Sequence, residues 1–243
     1  MTMLTLYQFP ISHYCEKVRW ALDYKGLEYR VVNLLPGAHI KVVKSIAPKS
    51  EVPVLQHEET IVQGSSDIIS YLDQVFPRKS LTPSDPEQKQ QALEWETFVD
   101  TNIGPYTRTY FYYFLLDRPD IVIPLLVHGQ PWYKQWVFRL FFPKVRDKMR
   151  QYLQLNERTA DISLKKLQRA IDKLSTQLAT NQFLVSDQFT RADLAAAALL
   201  APFRTPDKYG LQWPKQLPEG LQRTVDMLTP ELRWIDSLYQ NYR

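Results

Sequence analysis

Apolar and polar positions alternate over Leu4-Thr5-Leu6-Tyr7-Gln8-Phe9, the period of a half-buried strand, and Pro10-Ile11-Ser12 ends the run. From His13 the period becomes helical, with Val18, Ala21 and Leu22 on one face and Gly26 placed as the C-terminal stop. Tyr29-Arg30-Val31-Val32-Asn33-Leu34 favours a second strand. Strand, helix and strand so close together predict a βαβ unit with a right-handed crossover. A looser stretch follows from Pro36-Gly37 to Ser50, with a helical turn expected around Val42 to Ile46. Val52-Pro53-Val54-Leu55-Gln56 and Thr60-Ile61-Val62 predict short strands joined by a hairpin at His57-Glu58-Glu59. Ile68, Ile69, Leu72, Val75 and Phe76 then share the face of a helix that stops before Pro77.

The order βαβ, helical turn, ββα is a thioredoxin-type layout. Arg78 to Glu87, with Pro83, Ser84, Asp85 and Pro86, has the chemistry of a linker running into a helix start. Beyond it the pattern is helical. Leu93, Phe98 and Val99 suggest one amphipathic helix, and Leu164, Leu167, Ala170, Ile171, Leu174 and Leu178 mark another. Thr190-Arg191-Ala192-Asp193 is a capping box opening Leu194-Ala195-Ala196-Ala197-Ala198-Leu199-Leu200, which is apolar enough to be the central helix of its domain. The expected organisation is an α/β thioredoxin-like N-terminal domain over residues 1–78 and an all-α domain over 86–243.

Composition narrows the function classes. The 44% apolar and 23% charged content is that of a soluble globular protein, and 243 residues suit two cores better than one. The 30 Lys and Arg against 26 Asp and Glu leave a small, scattered basic excess. No nucleic-acid-binding motif accompanies it, so no nucleic-acid partner is expected. Cys15 is the single cysteine, which excludes an intrachain disulfide and fits a reducing compartment. Met1 to Gln8 has neither the basic nor the apolar region of a signal peptide. A cytoplasmic location is expected.

Three features converge in the first domain. Ser12 stands where the first strand gives way to the first helix, Val52-Pro53 opens a central strand, and Gly64-Ser65-Ser66-Asp67 opens the last helix. Two helix N-termini and a strand edge can face one ligand. Each also has a purely structural explanation: Ser12 and Ser65 as caps, Pro53 as a strand start.

Taken together, these segments resemble the glutathione transferase family, of cytosolic, serine-type and bacterial-looking character. The matching stretches are Ser12-His13-Tyr14-Cys15-Glu16-Lys17-Val18-Arg19-Trp20-Ala21-Leu22, Val52-Pro53-Val54-Leu55, Ser65 to Leu72, and Phe183 to Leu194. Residues from about Tyr106 to Asp161 fall outside the resemblance. It implies a cis Pro53 that turns the backbone of Val52 toward the cysteinyl part of glutathione, the co-substrate. It implies that Ser65, helped by Ser66, binds the γ-glutamyl carboxylate at a helix N-terminus. His39 resembles a histidine that some classes use for the glycine carboxylate, with a solvated loop residue as the other reading. Ser12 matches the serine that stabilises the thiolate, with no metal involved. The implied activity is conjugation of glutathione to a small, hydrophobic electrophile in detoxification, by a homodimer.

Cys15 is the rival to Ser12. Ser12-His13-Tyr14-Cys15 reads like a dithiol motif whose first cysteine has become serine, so a glutathione-dependent thiol or disulfide reductase is the first alternative. A non-catalytic carrier is the second. Gly64, where an acid or glutamine is usual, and Glu51, where Lys or Gln is frequent, favour it. The middle of the chain is dense in aromatics, among them Tyr110, Phe111, Tyr112, Trp132, Tyr133, Trp136, Phe138, Phe141 and Phe142. Core and dimer contacts account for most, and an enlarged apolar electrophile pocket is the functional reading. Peripheral membrane contact through Trp132 to Arg150 is disfavoured, because Pro143 interrupts the pattern.

Overall fold

A computed structural model describes residues 3–243, so Met1 and Thr2 of the expected first domain lie outside the described residues. Strands β1 (Leu4–Gln8), β2 (Tyr29–Asn33), β3 (Val54–His57) and β4 (Thr60–Gln63) form a sheet in the order β2-β1-β3-β4. β1 and β2 are parallel, and β3 is antiparallel to both its neighbours. Helix α1 (His13–Tyr24) makes the crossover that the parallel pair needs. Helix α2 (His39–Lys44) occupies the looser stretch and starts earlier than the turn the sequence suggested, while α3 (Ser65–Val75) closes the unit. This is the thioredoxin-like arrangement. Strand β3 begins only after Pro53, which has no N–H to give a ladder. The Val52–Pro53 peptide bond is cis.

The rest of the chain is helical. Helix α4 (Pro86–Asn102) is capped by Asp85, whose side chain accepts from the Gln88 N–H. It is followed by α5 (Gly104–Leu115), α6 (Pro119–Leu126), α7 (Trp132–Tyr152), α8 (Glu157–Leu178), α9 (Arg191–Leu200), α10 (Glu219–Leu228) and α11 (Trp234–Tyr242). Every residue of α9 is buried, and its alanines let α1 and α4 pack close against it. The capping box satisfies its N-terminus without water. The Asp193 carboxylate accepts from Leu184 N at 2.7 Å and from Thr190 N and Oγ1, both at 2.9 Å.

Helix α1 is the element that the periodicity described least well. Beyond its apolar face it buries Glu16, Lys17 and Arg19, because the helical region covers the side that would otherwise meet solvent. Their partners come from far along the chain. Lys17 Nζ lies 2.8 Å from both Glu96 and Asp100 of α4, and Arg191 Nε lies 2.6 Å from Glu96. Glu16 takes Arg19 at 2.7 Å, the Tyr239 hydroxyl at 3.0 Å, and Arg243. A buried charge is tolerable only when paired in this way.

Pro143 does not end α7, contrary to the interruption expected there. The helix runs through it, with the proline on an exposed turn where the carbonyl that loses its partner faces solvent. Phe138 and Phe142 fix α7 to the core. Trp132, Trp136 and Leu140, spaced at successive turns, point outward at 74%, 66% and 77% exposure, so these aromatics are not core residues. Among the described residues no helix is long and apolar enough to cross a membrane.

Candidate active site

A cleft of about 1720 Å³ opens between the sheet-bearing region and the helices. Ser12, His39, Val52, Pro53, Ser65 and Ser66 line one side, and residues of α5 and α7 line the other. The residues singled out from sequence therefore share one wall, apart from Cys15.

Ser12 is the N-cap of α1, and its Oγ accepts from the Cys15 N–H at 3.3 Å. The cap uses only a lone pair, so the hydroxyl hydrogen can turn either to the Cys15 sulfur or into the cleft. The two readings of Ser12, cap and donor, are thus compatible. Cys15 sits a turn further on and is completely buried. Burial pushes its thiol pKa up, and the Ser12 hydrogen bond only partly offsets this.

His13, beside Ser12, is buried, and its Nε2 lies 3.0 Å from the Gly104 carbonyl at the start of α5. Burial, with the nearby Arg108 charge, lowers its pKa to about 3. The ring is therefore neutral, and Nε2–H donates to that carbonyl. The Tyr14 hydroxyl donates to the Asp100 carbonyl at 2.6 Å, so consecutive residues after Ser12 pin the cleft wall to α4 and α5.

The ladders of β3 end at Val54, paired with Tyr7 on one side and Gln63 on the other, which leaves the Val52 backbone beyond them. Among the described residues, the Val52 N–H and C=O have no hydrogen-bond partner in the chain. The Gly64 N–H donates to the Pro53 carbonyl at 3.1 Å, bringing the α3 N-terminus alongside that edge. Gly64 has φ +103°, a conformation that a side chain disfavours, which explains why glycine stands there. Ser65 opens α3 and is nearly buried. The Ser66 hydroxyl is engaged within the chain: it donates to Asp100 Oδ2 at 2.6 Å and accepts from Lys17 Nζ at 3.0 Å. Glu51 is exposed, and its carbonyl accepts from Gln63 Nε2 at 2.8 Å.

His39 is the first residue of α2 rather than a loop residue. It is half-buried, stands edge-on to Phe9 with ring centroids 4.7 Å apart, and its Nδ1 accepts from the Gly37 N–H at 3.1 Å. Burial lowers its pKa. The neutral tautomer with Nε2–H as donor follows, with the Leu35 and Ser50 carbonyls within reach of the ring.

The opposite wall consists of Arg108, Phe111, Tyr112 and Leu115 of α5 with Tyr133, Val137, Phe141, Lys144 and Lys148 of α7. The aromatic middle of the chain thus divides. Phe111 and Phe138 are core residues that also reach the cleft, whereas Tyr133 and Phe141 stand on its exposed rim. Burial pushes the Tyr112 hydroxyl up to about 12, so it stays protonated. Sequence reasoning did not pick out Lys17, Asp100 and Arg108. The matching stretch contained Lys17, but its partners lie 79 and 83 positions away, as Glu96 and Asp100, beyond any local pattern.

Residues 6–80 match the glutathione S-transferase N-terminal domain model, and residues 121–215 match the glutathione S-transferase C-terminal domain model. The chain belongs to the glutathione S-transferase family. The C-terminal match includes much of the stretch that the sequence motifs left outside the resemblance. Glutathione S-transferase 1 of Dianthus caryophyllus is 35% identical over 105 residues, 42% of this chain and 48% of that one. The chain thus spans about half the length of this curated relative. Among solved structures, the β-etherase LigF from Sphingobium superposes with a TM-score of 0.66 at 23% identity, covering 98% of this chain and 99% of that one. A theta class glutathione S-transferase from Xanthomonas axonopodis pv. citri, solved with glutathione bound, gives 0.61 at 16% identity and 96% coverage of both chains. These two likenesses concern the fold.

Proposed function

We propose that the chain conjugates glutathione to small electrophiles, with Ser12 as the group that holds the thiolate. The observation that carries this is the Ser12 hydroxyl: it lines the cleft, caps α1 through a lone pair, and has a hydrogen that can turn from the Cys15 sulfur to a ligand. Glutathione fits the residues facing it. The unpaired Val52 N–H and C=O can bond the cysteinyl backbone as an added strand. The α3 N-terminus at Ser65 presents unpaired N–H groups and the positive end of the helix dipole to the γ-glutamyl carboxylate. His39 Nε2–H is the donor offered to the glycine carboxylate. Ser66 acts at one remove, tying α3 to Asp100 and Lys17.

A free thiol has a pKa near ~8.5 and is only a few per cent ionised at neutral pH. Donation from Ser12 and the α1 N-terminus favour the thiolate, and the proton leaves to solvent. The thiolate sulfur then bonds to the electrophilic carbon while a leaving group departs with its electron pair or, on an isothiocyanate, the C=N π pair moves to nitrogen, which takes a proton from solvent. Cys15 is the weaker candidate for redox chemistry, since its thiol is fully buried and burial holds it protonated.

Chlorodinitrobenzene and an aryl isothiocyanate serve as test electrophiles. Ser12→Ala is expected to lower kcat/KM about 10- to 100-fold, the loss of one hydrogen bond to a charged group. Bound-thiol pKa, read from thiolate absorbance in the ultraviolet, should rise. An unchanged rate in Ser12→Ala refutes the assignment, and disulfide reduction that disappears in Cys15→Ala moves the chemistry to Cys15. The family reading brings with it a homodimer, a detoxifying role and a cytoplasmic location. Sedimentation at micromolar concentration tests the first, and a monomer would count against it.

A further inference from the structure

The charges lining the cleft are segregated. On the β3 and α3 side stand Glu51, Asp67, Asp100 and Lys49, and Asp100 is already bonded to Lys17 at 2.8 and 2.9 Å. On the α5 and α7 side the charged lining residues are Arg108, Lys134, Lys144 and Lys148, with no acid among the described lining residues of that wall. Arg108 stands apart from the other inward-facing arginines. Arg19 and Arg243 pair with Glu16, and Arg191 pairs with Glu96. Arg108 has no ion pair or hydrogen bond among the described residues, and its Nε is buried without a partner. The hydroxyl of Thr107, another cleft-lining residue, is likewise buried and unpartnered.

Leaving a buried polar group unsatisfied costs about 1–3 kcal/mol, and more for a charged one. Such a group is understandable where a ligand completes it. Arg108 is one helical turn beyond Gly104, whose carbonyl His13 holds, and it lines the cleft on the α5 side. Its charge reaches His13, Tyr14 and Tyr112. On the same side of the cleft, Tyr133, Val137 and Phe141 of α7 line it together with Lys134, Lys144 and Lys148. That lining offers contact to an apolar body and attraction to a negative charge.

We propose that the electrophile carries a carboxylate on an aromatic or extended apolar body, bound by the Arg108 guanidinium and drawn in by the lysines of α7. The proposal rests on the conjugation reading above. A planar guanidinium with unfilled donors suits a carboxylate, which can take two parallel N–H bonds. The apolar body lies against Phe111, Tyr112 and Phe141, and its reactive carbon faces the sulfur held at Ser12.

The test compares 4-chloro-3-nitrobenzoate with its methyl ester. In both, the thiolate sulfur bonds to the ring carbon bearing chlorine, the C–Cl bond breaks, and chloride leaves with the electron pair. The acid-to-ester ratio of kcat/KM is expected to fall about 10- to 100-fold in Arg108→Met and to recover partly in Arg108→Lys. Calorimetry on the two preformed glutathione conjugates, free acid and methyl ester, reads the same preference without turnover. Arg108→Lys, with circular dichroism on both variants, guards against a folding defect. An unchanged ratio overturns the anion subsite and leaves conjugation standing. Failure to turn over either substrate, with Arg108-dependent preference for the acid conjugate, overturns the catalytic reading and supports the subsite. Loss of binding of glutathione itself in Arg108→Met assigns the arginine to glutathione and overturns the proposal.

Discussion

Glu96 is the hinge of the charge cluster between the two regions, and its removal has a definite expected cost. Its carboxylate lies 2.8 Å from Lys17 and 2.6 Å from Arg191, and the three side chains are almost completely buried. In wild type, Lys17 and Arg191 are balanced by Glu96 and Asp100. Glu96→Ala leaves two buried cations facing one carboxylate. Removing one partner of a buried pair costs about 3–5 kcal/mol, because the remaining charge is left uncompensated. That is a large share of the roughly 5–15 kcal/mol that holds an ordinary domain together. Urea unfolding followed by circular dichroism should show a midpoint lower by about 1–2 M at unchanged slope. Lys17 and Arg191 also hold Ser66, through its hydroxyl at 3.0 Å and its carbonyl at 2.8 Å, so the same variant should weaken glutathione binding. Replacing Lys17, Glu96 and Arg191 together by methionine, with Asp100→Asn, should cost much less than Glu96→Ala, since no charge is stranded. A loss below about 1 kcal/mol in Glu96→Ala would refute this account of the cluster.

Two further outcomes follow from the site. A methyl group at Gly104 would overlap the ring and hydroxyl of Tyr14, which the Asp100 carbonyl holds in place at 2.6 Å. Gly104→Ala gains about 1 kcal/mol of helix propensity but costs about 1–3 kcal/mol of overpacking, so a lower Tm is expected and a higher one would refute the packing. For His13 the folded pKa, about 3, lies below the ordinary value of 6.5. The unfolded chain then binds the proton first, so the His13 contribution is complete above pH 6.5 and is lost as pH falls toward 3. At about pH 5 the loss should reach about 2 kcal/mol, measured by urea unfolding as the difference between wild type and His13→Gln. Parallel pH dependences in the two proteins would place His13 in water instead.

Much of the fold was legible in the chain itself. The alternation at Leu4 to Phe9, the helical period after His13 and the capping box at Thr190 to Asp193 are local signals, set by backbone sterics and by which groups can satisfy a helix end. Such signals placed Ser12, Val52 and Ser65, the family resemblance added His39, and the structure gathers all four on one wall of the cleft. What local pattern could not give was every property that depends on a distant partner. Whether Cys15 is a surface nucleophile or a core thiol depends on what covers α1, and the helical region covers it. The role of Ser66 changed because Asp100, brought by α4, takes its hydroxyl. Pro143 looked like an interruption, yet the backbone of α7 continues past it, because Phe138 and Phe142 before it and Val145 and Met149 after it pack on the core. The scattered basic excess hid a segregated one. Arg108 is far in sequence from Lys134, Lys144 and Lys148, and only helix periodicity combined with the placing of α5 and α7 on the same side of the cleft brings them to a single wall. Sequence determines the elements and their caps because those forces act within a few residues. Burial, ion pairing and the shape of the cleft were decided by the tertiary structure, because they are sums over groups that the chain brings together only when folded.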